Sequence, residues 1–286
     1  MKKYIISSLL LLLSNLAWAD VLCTLNGNGE ITDTSECKTQ PDEQYITIYK
    51  VAVCKTQPIA PTLSTAYDVS QCKVVFQSTN GTEFLIKKNT PSVPTDGEFH
   101  APPPGNYTYG FLESSPTMRV KKVAKFSRTM HATNNTSGTY CWSKVGTLYS
   151  VSYIQSGPVD CGGSMPPSSS VGITTQFISS LNGTNNQFIS SYTFPSSQGG
   201  NITAHLIDST GKIGTGVMNG GGTVNRIIGY MPINLKVTGK TSDMSISFNN
   251  SMGTNVGIND WGGGNYGVFS FSGGPFDFKF ETEDVH

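Results

Sequence analysis

Short strand-like runs recur along almost the whole chain and constrain its fold more than any other feature. The strongest, at 45–53, is β-branched and aromatic, without a helix cap or an apolar stripe at helical spacing. Turn-forming pairs such as Asn80-Gly81, Asp96-Gly97 and Pro104-Gly105 separate several runs. Many short strands at regular spacing predict an all-β protein built from sandwiches or barrels. The other predicted strands are 83–87, 107–112, 118–126, 147–154, 174–181, 187–194, 201–208, 233–238, 244–248, 266–271 and 276–280.

The six cysteines of the chain form an even set. None stands in a Cys-x-x-Cys pair or at the Cys/His spacing of a zinc site, so we expect disulfides and no metal or other cofactor. Many pairings are open in principle. We favour the sequential one, because it closes three short loops that would each stabilise the fold by about 3 kcal/mol. The predicted bridges are Cys23–Cys37, Cys54–Cys72 and Cys141–Cys161.

The first 19 residues read as a secretory signal peptide. Lys2 and Lys3 precede an apolar run at 9–13, and the tripeptide at 17–19 is Ala-Trp-Ala, a typical cleavage site. We expect a mature chain that begins near Asp20 and is exported to the periplasm, the cell surface or the medium, where thiols oxidise. Lipidation is not expected, because Cys23 does not directly follow the cleavage site. No later run approaches the roughly 20 apolar residues of a membrane-spanning helix, so we expect no transmembrane segment.

Charge gives no electrostatic argument for a nucleic-acid partner. Charged residues make up 13% of the chain, against about 25% in typical soluble proteins. Removing Lys2 and Lys3 from 19 basic and 19 acidic side chains leaves 17 and 19, a net charge of −2. A weakly charged surface rich in hydroxyl and amide groups suits an extracellular β protein, and it disfavours nucleic acid and anionic lipid.

A Pro/Ser tract at 163–170 is the best linker candidate in the chain. It predicts a disulfide-containing β domain at 20–162 and a second β domain, rich in Gly and Asn, at 171–286. The stretch 128–138 is the alternative boundary.

Residues 45–113 resemble carboxypeptidase-regulatory-like and collagen-adhesin B-type domains. The segment Thr95-Asp-Gly-Glu-Phe99, followed by a Pro-Gly-Asn-Tyr run that ends at Tyr107, is similar to their strand-entry motif. Tyr109-Gly-Phe-Leu-Glu113 is similar to the Tyr-x-Leu-x-Glu strand of the collagen-adhesin type, with Phe111 in place of Leu. These families are transthyretin-like β-sandwiches found in surface stalks, adhesins and outer-membrane proteins.

The resemblance implies a role for Glu113, since the matching Glu assists a Lys–Asn isopeptide bond in that family. Lys50 could match the Lys, but the sequence offers no convincing Asn partner in a last strand, and the disulfides depart from the pattern. The predicted fold class is therefore all-β with two β-sandwich domains. The first is immunoglobulin-like or transthyretin-like and stapled by disulfides, and the second is jelly-roll-like.

The sequence contains no catalytic motif, and we predict that the protein is not an enzyme. No Gly-x-Ser-x-Gly surrounds a serine. Of the four histidines, His100 and His286 are expected in surface loops, and His205 is expected to face solvent in mid-strand. The carboxylates are scattered, so a glycosidase-like pair cannot be identified from the sequence.

The most suggestive binding feature is the stretch 259–266. It places a Trp and a Tyr on either side of three glycines, together with carboxylate and amide groups. Such a loop could stack on a sugar ring and hydrogen-bond its hydroxyls. The competing interpretation is a hairpin loop whose Trp covers the end of the sandwich. The candidate ligand-binding residues are Asp260, Trp261, Asn265 and Tyr266.

A second charged feature lies in the predicted strand 118–126. Four cations in this strand could face an acidic polymer, but such a run more often protects the edge of a sheet from self-pairing. The four cations are Arg119, Lys121, Lys122 and Lys125.

Together these features predict an exported bacterial structural or adhesive surface protein without catalytic activity. The alternative is a carbohydrate-binding module that uses the aromatic Gly-rich loop. The third hypothesis is a filament or pilus-like subunit, in which the stretch 20–34 or the Phe-rich C-terminus donates a strand to another copy. The expected partners are a glycan or another surface protein, and self-association stays open.

Overall fold

The computed structural model describes residues 21–87, 98–149, 158–181, 188–196, 199–217 and 222–284. The predicted signal peptide, the Asp96-Gly97 turn and His286 lie outside these residues. Seventeen strands are present, and the one helical element in the described part is a single 3-10 turn at Ser168–Ser170. The strands are β1 Cys37–Thr39, β2 Glu43–Cys54, β3 Cys72–Ile86, β4 Glu98–Phe99, β5 Gly105–Lys121, β6 Val123–Ala132, β7 Ser137–Ser143, β8 Gly146–Tyr149, β9 Val159–Gly162, β10 Thr174–Phe177, β11 Ser191–Pro195, β12 Asn201–Ile207, β13 Arg226–Val237, β14 Thr241–Asn249, β15 Thr254–Asp260, β16 Tyr266–Gly273 and β17 Asp277–Asp284.

The strands form two large sheets and a two-stranded ribbon. The nine-stranded sheet has the order β11-β12-β13-β5-β2-β3-β4, and β10 joins it beside β5 and carries β8. The six-stranded sheet has the order β1-β15-β16-β6-β7-β9, and β14 pairs with β17 in the ribbon. The predicted all-β class is confirmed. No helix in the described residues is long and apolar enough to cross a bilayer.

The main core fills the space between the nine-stranded sheet and the ribbon. The alternating burial along β2 places Ile46 and Ile48 in this core, where they join Phe248, Phe278 and Phe280 of the ribbon. Separate clusters lie beneath the six-stranded sheet and beneath the loop 55–71. The core of the six-stranded sheet includes Ile31, Phe126, Met130, Val268 and Phe271. The smaller cluster under the loop includes Ala52, Cys54, Phe111, Ile228 and Tyr230, with Tyr67 and Val69 packed against it.

The predicted sequential disulfides are confirmed, and all six cysteines are paired. Cys54–Cys72 and Cys141–Cys161 each join residues that stand directly opposite one another on antiparallel strands. Cys23–Cys37 ties the N-terminal segment to β1. Cys54–Cys72 also closes the loop 55–71, which fixes both ends of that loop on the nine-stranded sheet.

Several predicted strand boundaries are wrong, and two of them have a clear physical reason. The single strand expected at 118–126 is divided at Lys122, where the chain leaves the nine-stranded sheet as β5 and enters the six-stranded sheet as β6. Asn80-Gly81, expected to end a strand, lies inside β3, where the register with β2 shifts between Ile48 and Lys50. Gly81 has φ +78°, and its missing side chain makes room for Tyr49. The glycine therefore forms a bulge instead of a turn.

The strand pairings do not follow the predicted division of the chain at 163–170. Most of this tract is exposed. However, β5 pairs with β13 in one large sheet, and β6 pairs with β16 in the other. Strands from both sides of the tract therefore share both sheets. The physical reason is that strand order depends on long-range hydrogen bonding, which a local Pro/Ser composition does not determine.

Candidate functional site

The predicted binding loop forms the tip of the hairpin between β15 and β16. The Trp261 N–H donates to the Asn265 carbonyl over 2.9 Å, and the Gly262 N–H donates to Asp260 Oδ1 over 2.7 Å. The glycines at 262–264 have φ values of +85°, +64° and +82°. Because this left-handed backbone strongly favours glycine, the sequence GGG builds the turn, and the loop satisfies several of its own polar groups.

Trp261 lies on the outside of this tip with half of its surface exposed, at 50%. Its indole rests on Gly267, where a Cβ would overlap the ring. The His131 ring lies beside it, with a centroid separation of 5.9 Å. Trp261 is absent from the buried core clusters. The ring is therefore supported from below and keeps an accessible surface.

The other aromatic residue of the predicted site is engaged elsewhere. Tyr266 is half-buried against the core of the six-stranded sheet, and the Arg128 guanidinium lies 4.9 Å from its ring centroid. The Asn265 amide donates to the Gly262 carbonyl over 3.3 Å. The structure thus brings Asp260, Trp261 and Asn265 to one exposed tip, while Tyr266 adds no second stacking surface there.

A cleft that the sequence analysis did not predict lies on the nine-stranded sheet. Its floor is the Glu113 carboxylate, which accepts a hydrogen bond of 3.0 Å from the Tyr67 hydroxyl. Lys50 Nζ lies 3.6 Å from one carboxylate oxygen, and Arg226 Nε lies 3.8 Å from the other. The Arg226 guanidinium in turn lies 3.7 Å from the centroid of the Tyr49 ring. Burial and the negative charge of Glu113 raise the pKa of the Tyr67 hydroxyl, which keeps it a hydrogen-bond donor at neutral pH.

Two turns form the walls of this cleft, which has a volume of about 540 Å³. One wall is residues 66–70 of the disulfide-closed loop, and the other is residues 207–211 after β12. They are held together where the Tyr67 N–H donates to the Gly211 carbonyl over 3.0 Å. Asn225 and Arg226 complete the lining. We refer to this site as the Glu113 cleft.

The two residues that the collagen-adhesin resemblance singled out lie together in this region. Lys50 and Glu113 stand directly opposite one another in the register of β2 and β5 and form an ion pair. Tyr107, the end residue of the Pro-Gly-Asn-Tyr run, is 2% exposed, and its hydroxyl donates to the Pro103 carbonyl over 2.7 Å.

The four cations of 118–126 are neutralised within the chain. Lys121 lies 3.9 Å from Glu43, Lys122 lies 3.7 Å from Asp42, and Lys125 lies 2.8 Å from Glu30. Arg119 pairs with Glu83. The edge-strand interpretation is wrong, because this part of β5 is hydrogen-bonded to β2 on one side and β10 on the other. These pairs brace neighbouring segments and leave little unbalanced positive charge for an acidic polymer.

His205 does not face solvent, so that prediction is wrong. It is 6% exposed, its Nδ1 lies 2.7 Å from Ser191 Oγ, and its Nε2 lies 3.4 Å from the Tyr230 hydroxyl. Burial lowers the pKa of His205. Neither Ser191 nor His205 lines the Glu113 cleft. The contacts satisfy a buried imidazole between paired strands.

The two segments proposed as strand donors are engaged in their own chain. In the N-terminal segment, Ile31 is buried and bridges to Phe126, and Cys23 is tied to Cys37. At the C-terminus, β17 pairs with β14 and buries Phe278 and Phe280.

The chain matches no family model, no curated protein and no solved structure, so the interpretation of both sites rests on their own geometry.

Proposed function

We propose that this chain is an exported bacterial structural or adhesive surface protein that works by binding instead of catalysis. The three disulfides support an oxidising location, as does the resemblance of the N-terminus to a signal peptide. Extensive strand pairing and cross-strand ion pairs support a mechanically rigid body.

The observation that carries the adhesive role is the exposure of Trp261 on a structured tip. Among the tryptophans and phenylalanines whose side-chain burial the structure describes, Trp261 alone is exposed. The Trp261 ring packs on Gly267 and beside His131. These contacts restrict the motion of the ring before binding, so less side-chain entropy is lost when a partner binds. Trp is also enriched among the residues that dominate binding energy at protein interfaces. The β15–β16 hairpin is therefore our proposed contact surface.

A carbohydrate-binding role of the same tip is the second candidate. An exposed indole offers the flat apolar face on which a sugar ring stacks, and Asp260 and Asn265 stand next to it with oxygen and nitrogen groups. Among the described residues of the tip, Trp261 carries the one exposed aromatic ring, which favours a single stacked sugar ring over an extended chain.

Substitution of Trp261 tests both candidates. The mature chain and its Trp261→Ala and Trp261→Phe variants would be assayed for adhesion to surfaces and for binding to a glycan array. We expect Trp261→Ala to lose roughly tenfold or more of the affinity and Trp261→Phe to keep part of it. Val145→Ala is the matched control, because Val145 is an exposed apolar residue on a different turn.

The array result separates the two candidates. If Trp261→Ala loses adhesion and the unchanged chain binds no glycan on the array, a protein partner is favoured. If Trp261→Ala loses both adhesion and glycan binding, a glycan partner is favoured. Adhesion that is unchanged in Trp261→Ala would refute the hairpin as the contact surface.

The filament hypothesis has less support, because both nominated donor segments are paired within their own chain. We expect a single species of monomer size in size-exclusion chromatography and no fibres in negative-stain microscopy. Regular filaments of the purified mature chain would reverse this order of hypotheses.

A further inference from the structure

The Glu113 cleft lies on a different sheet from the hairpin tip, so the two sites are structurally separate. Its floor is fixed by residues from four distant parts of the sequence. Glu113 is held by Lys50, Tyr67 and Arg226, and its side chain is only 15% exposed. A floor whose charged groups already satisfy one another does not have to rearrange when a ligand enters.

The charges in and around the cleft balance one another. Because three side chains of each sign are present, an ion of either sign would gain little net attraction there. A neutral polar molecule would not have to displace an existing ion pair. The anions Asp68, Asp208 and Glu113 all line the cleft, as does the cation Arg226. The other two cations stand outside the lining residues, Lys50 beside Glu113 and Lys212 near Asp208.

The walls of the cleft carry two ionised carboxylates. Asp208 Oδ1 accepts the backbone N–H groups of Thr210 over 2.8 Å and Lys212 over 3.1 Å. Asp68 Oδ1 accepts the Ser70 N–H over 2.7 Å. Hydrogen bonds within these turns lower the pKa of both carboxyl groups. In both residues the backbone N–H groups donate to Oδ1. The other carboxylate oxygen, Oδ2, takes no part in these backbone bonds and is suited to accept a hydrogen bond from a ligand.

Donor groups also line the cleft, beside the wall formed by residues 207–211, because the Asn225 N–H donates to the Ile207 carbonyl over 2.7 Å. The Asn225 side-chain oxygen accepts from Arg226 Nη1 over 3.0 Å, which orients the amide. The amide N–H groups of Asn225 and the guanidinium of Arg226 are planar donors. Planar acceptors and donors around a pocket fit adjacent hydroxyl groups, each of which both donates and accepts a hydrogen bond. The volume of about 540 Å³ falls in the usual range for small-molecule sites.

We propose that the Glu113 cleft binds a neutral sugar ring through hydrogen bonds from its hydroxyl groups. Asp68 and Asp208 accept from the sugar, and Asn225 and Arg226 donate to it. Glu113 is a positioning residue that holds Arg226 and Tyr67. The site does not depend on the hairpin tip, so it can be tested with the Trp261→Ala variant as well as with the unchanged chain.

The test is an amide ¹H–¹⁵N NMR titration of the mature chain with the methyl pyranosides of glucose, galactose, mannose and N-acetylglucosamine. We expect at least one of them to give saturable shifts at 66–70, 208–211 and 225–226, with affinity in the millimolar range. Acetate and methylammonium serve as charged probes and are expected to give no saturable shifts there. Trp261→Ala should leave the titration unchanged.

Asp208→Asn is the decisive variant, because the Asn side-chain oxygen can keep the turn hydrogen bonds while the charge is lost. We expect roughly tenfold weaker binding with an unchanged spectrum outside the cleft. Asp33→Asn is the matched control, since Asp33 accepts a backbone bond from Thr24 in the N-terminal segment. No shifts with any of the four sugars, saturation by a charged probe alone, or full affinity in Asp208→Asn would each overturn the proposal.

Discussion

The hairpin tip takes its essential residues from one short stretch, 260–267, whereas the Glu113 cleft gathers side chains from β2, the loop 55–71, β5 and β13. At the tip, backbone groups form hydrogen bonds within the loop, and the Trp261 ring is left exposed. In the cleft, partly buried side chains of opposite charge pair with one another. The comparison teaches that a local turn can present one strong contact by itself, while a polar pocket needs the whole sheet to place its groups.

Removing the Cys54–Cys72 bridge should give the largest effect. We expect Cys54→Ser/Cys72→Ser to lower the free energy of unfolding by about 3 kcal/mol, because the unfolded chain gains freedom. Amide hydrogen exchange should rise in 55–71, since this loop forms one wall of the cleft, and stay unchanged at 260–267. Cys23→Ser/Cys37→Ser is the control, with a sequence separation of 14 against 18. An equal rise of amide hydrogen exchange at 55–71 in both variants would show that the Cys54–Cys72 bridge does not specifically hold this wall of the cleft.

Removing the floor of the cleft should come next. Glu113→Ala leaves Lys50 and Arg226 without their shared carboxylate and Tyr67 without its acceptor. We expect a loss of about 2 kcal/mol in urea unfolding, below the usual cost of breaking a fully buried ion pair because all three side chains retain some exposure. Glu113→Gln keeps an acceptor for Tyr67 and should lose less. Equal losses in the two variants would show that the charge has no role.

At the tip, Trp261→Ala should cost about 1–2 kcal/mol, since only half of the ring is covered. A loss of about 3–5 kcal/mol, as for a fully buried Trp, would instead support the interpretation that Trp261 caps the sandwich. Thermal unfolding with Trp261→Phe as a partial replacement measures this. The far-UV circular dichroism should not change.

Acid should weaken the sheet that carries the cleft through His205. Burial lowers the folded-state pKa of His205 below its ordinary value of 6.5. The neutral form is therefore favoured on folding, and the stabilisation is complete above pH 6.5 and decreases as the pH falls from there towards the folded-state pKa. We expect His205→Gln to reduce this dependence, with an effect smaller than that of Trp261→Ala. An unchanged profile between wild type and variant in urea unfolding would contradict a buried neutral His205.

Several strands could be predicted because their side chains alternate in the sequence, and β2 at Glu43–Cys54 is the clearest. The short strands β1, β7 and β9 and the glycine-containing β15 were missed. β1 is held by a partner far along the chain, since its Cys37 stands opposite Val256 of β15. The glycine inside β15 weakens the local strand signal. The contacts of His205 could not be predicted either, because the alternation in a strand shows two faces without showing which face is covered.

The sequence by itself determined the all-β class and the glycine-built turn at 262–264, and it favoured the disulfide pairing that the structure contains. Each of these follows from local backbone preference or from the short distance between cysteines along the chain. Only the tertiary structure decided that strands from both halves share both sheets, that the cations of 118–126 are neutralised, and that Lys50, Tyr67, Glu113 and Arg226 meet in one cleft. Those outcomes depend on strand order and register, which arise from hydrogen bonds and packing between residues far apart in sequence.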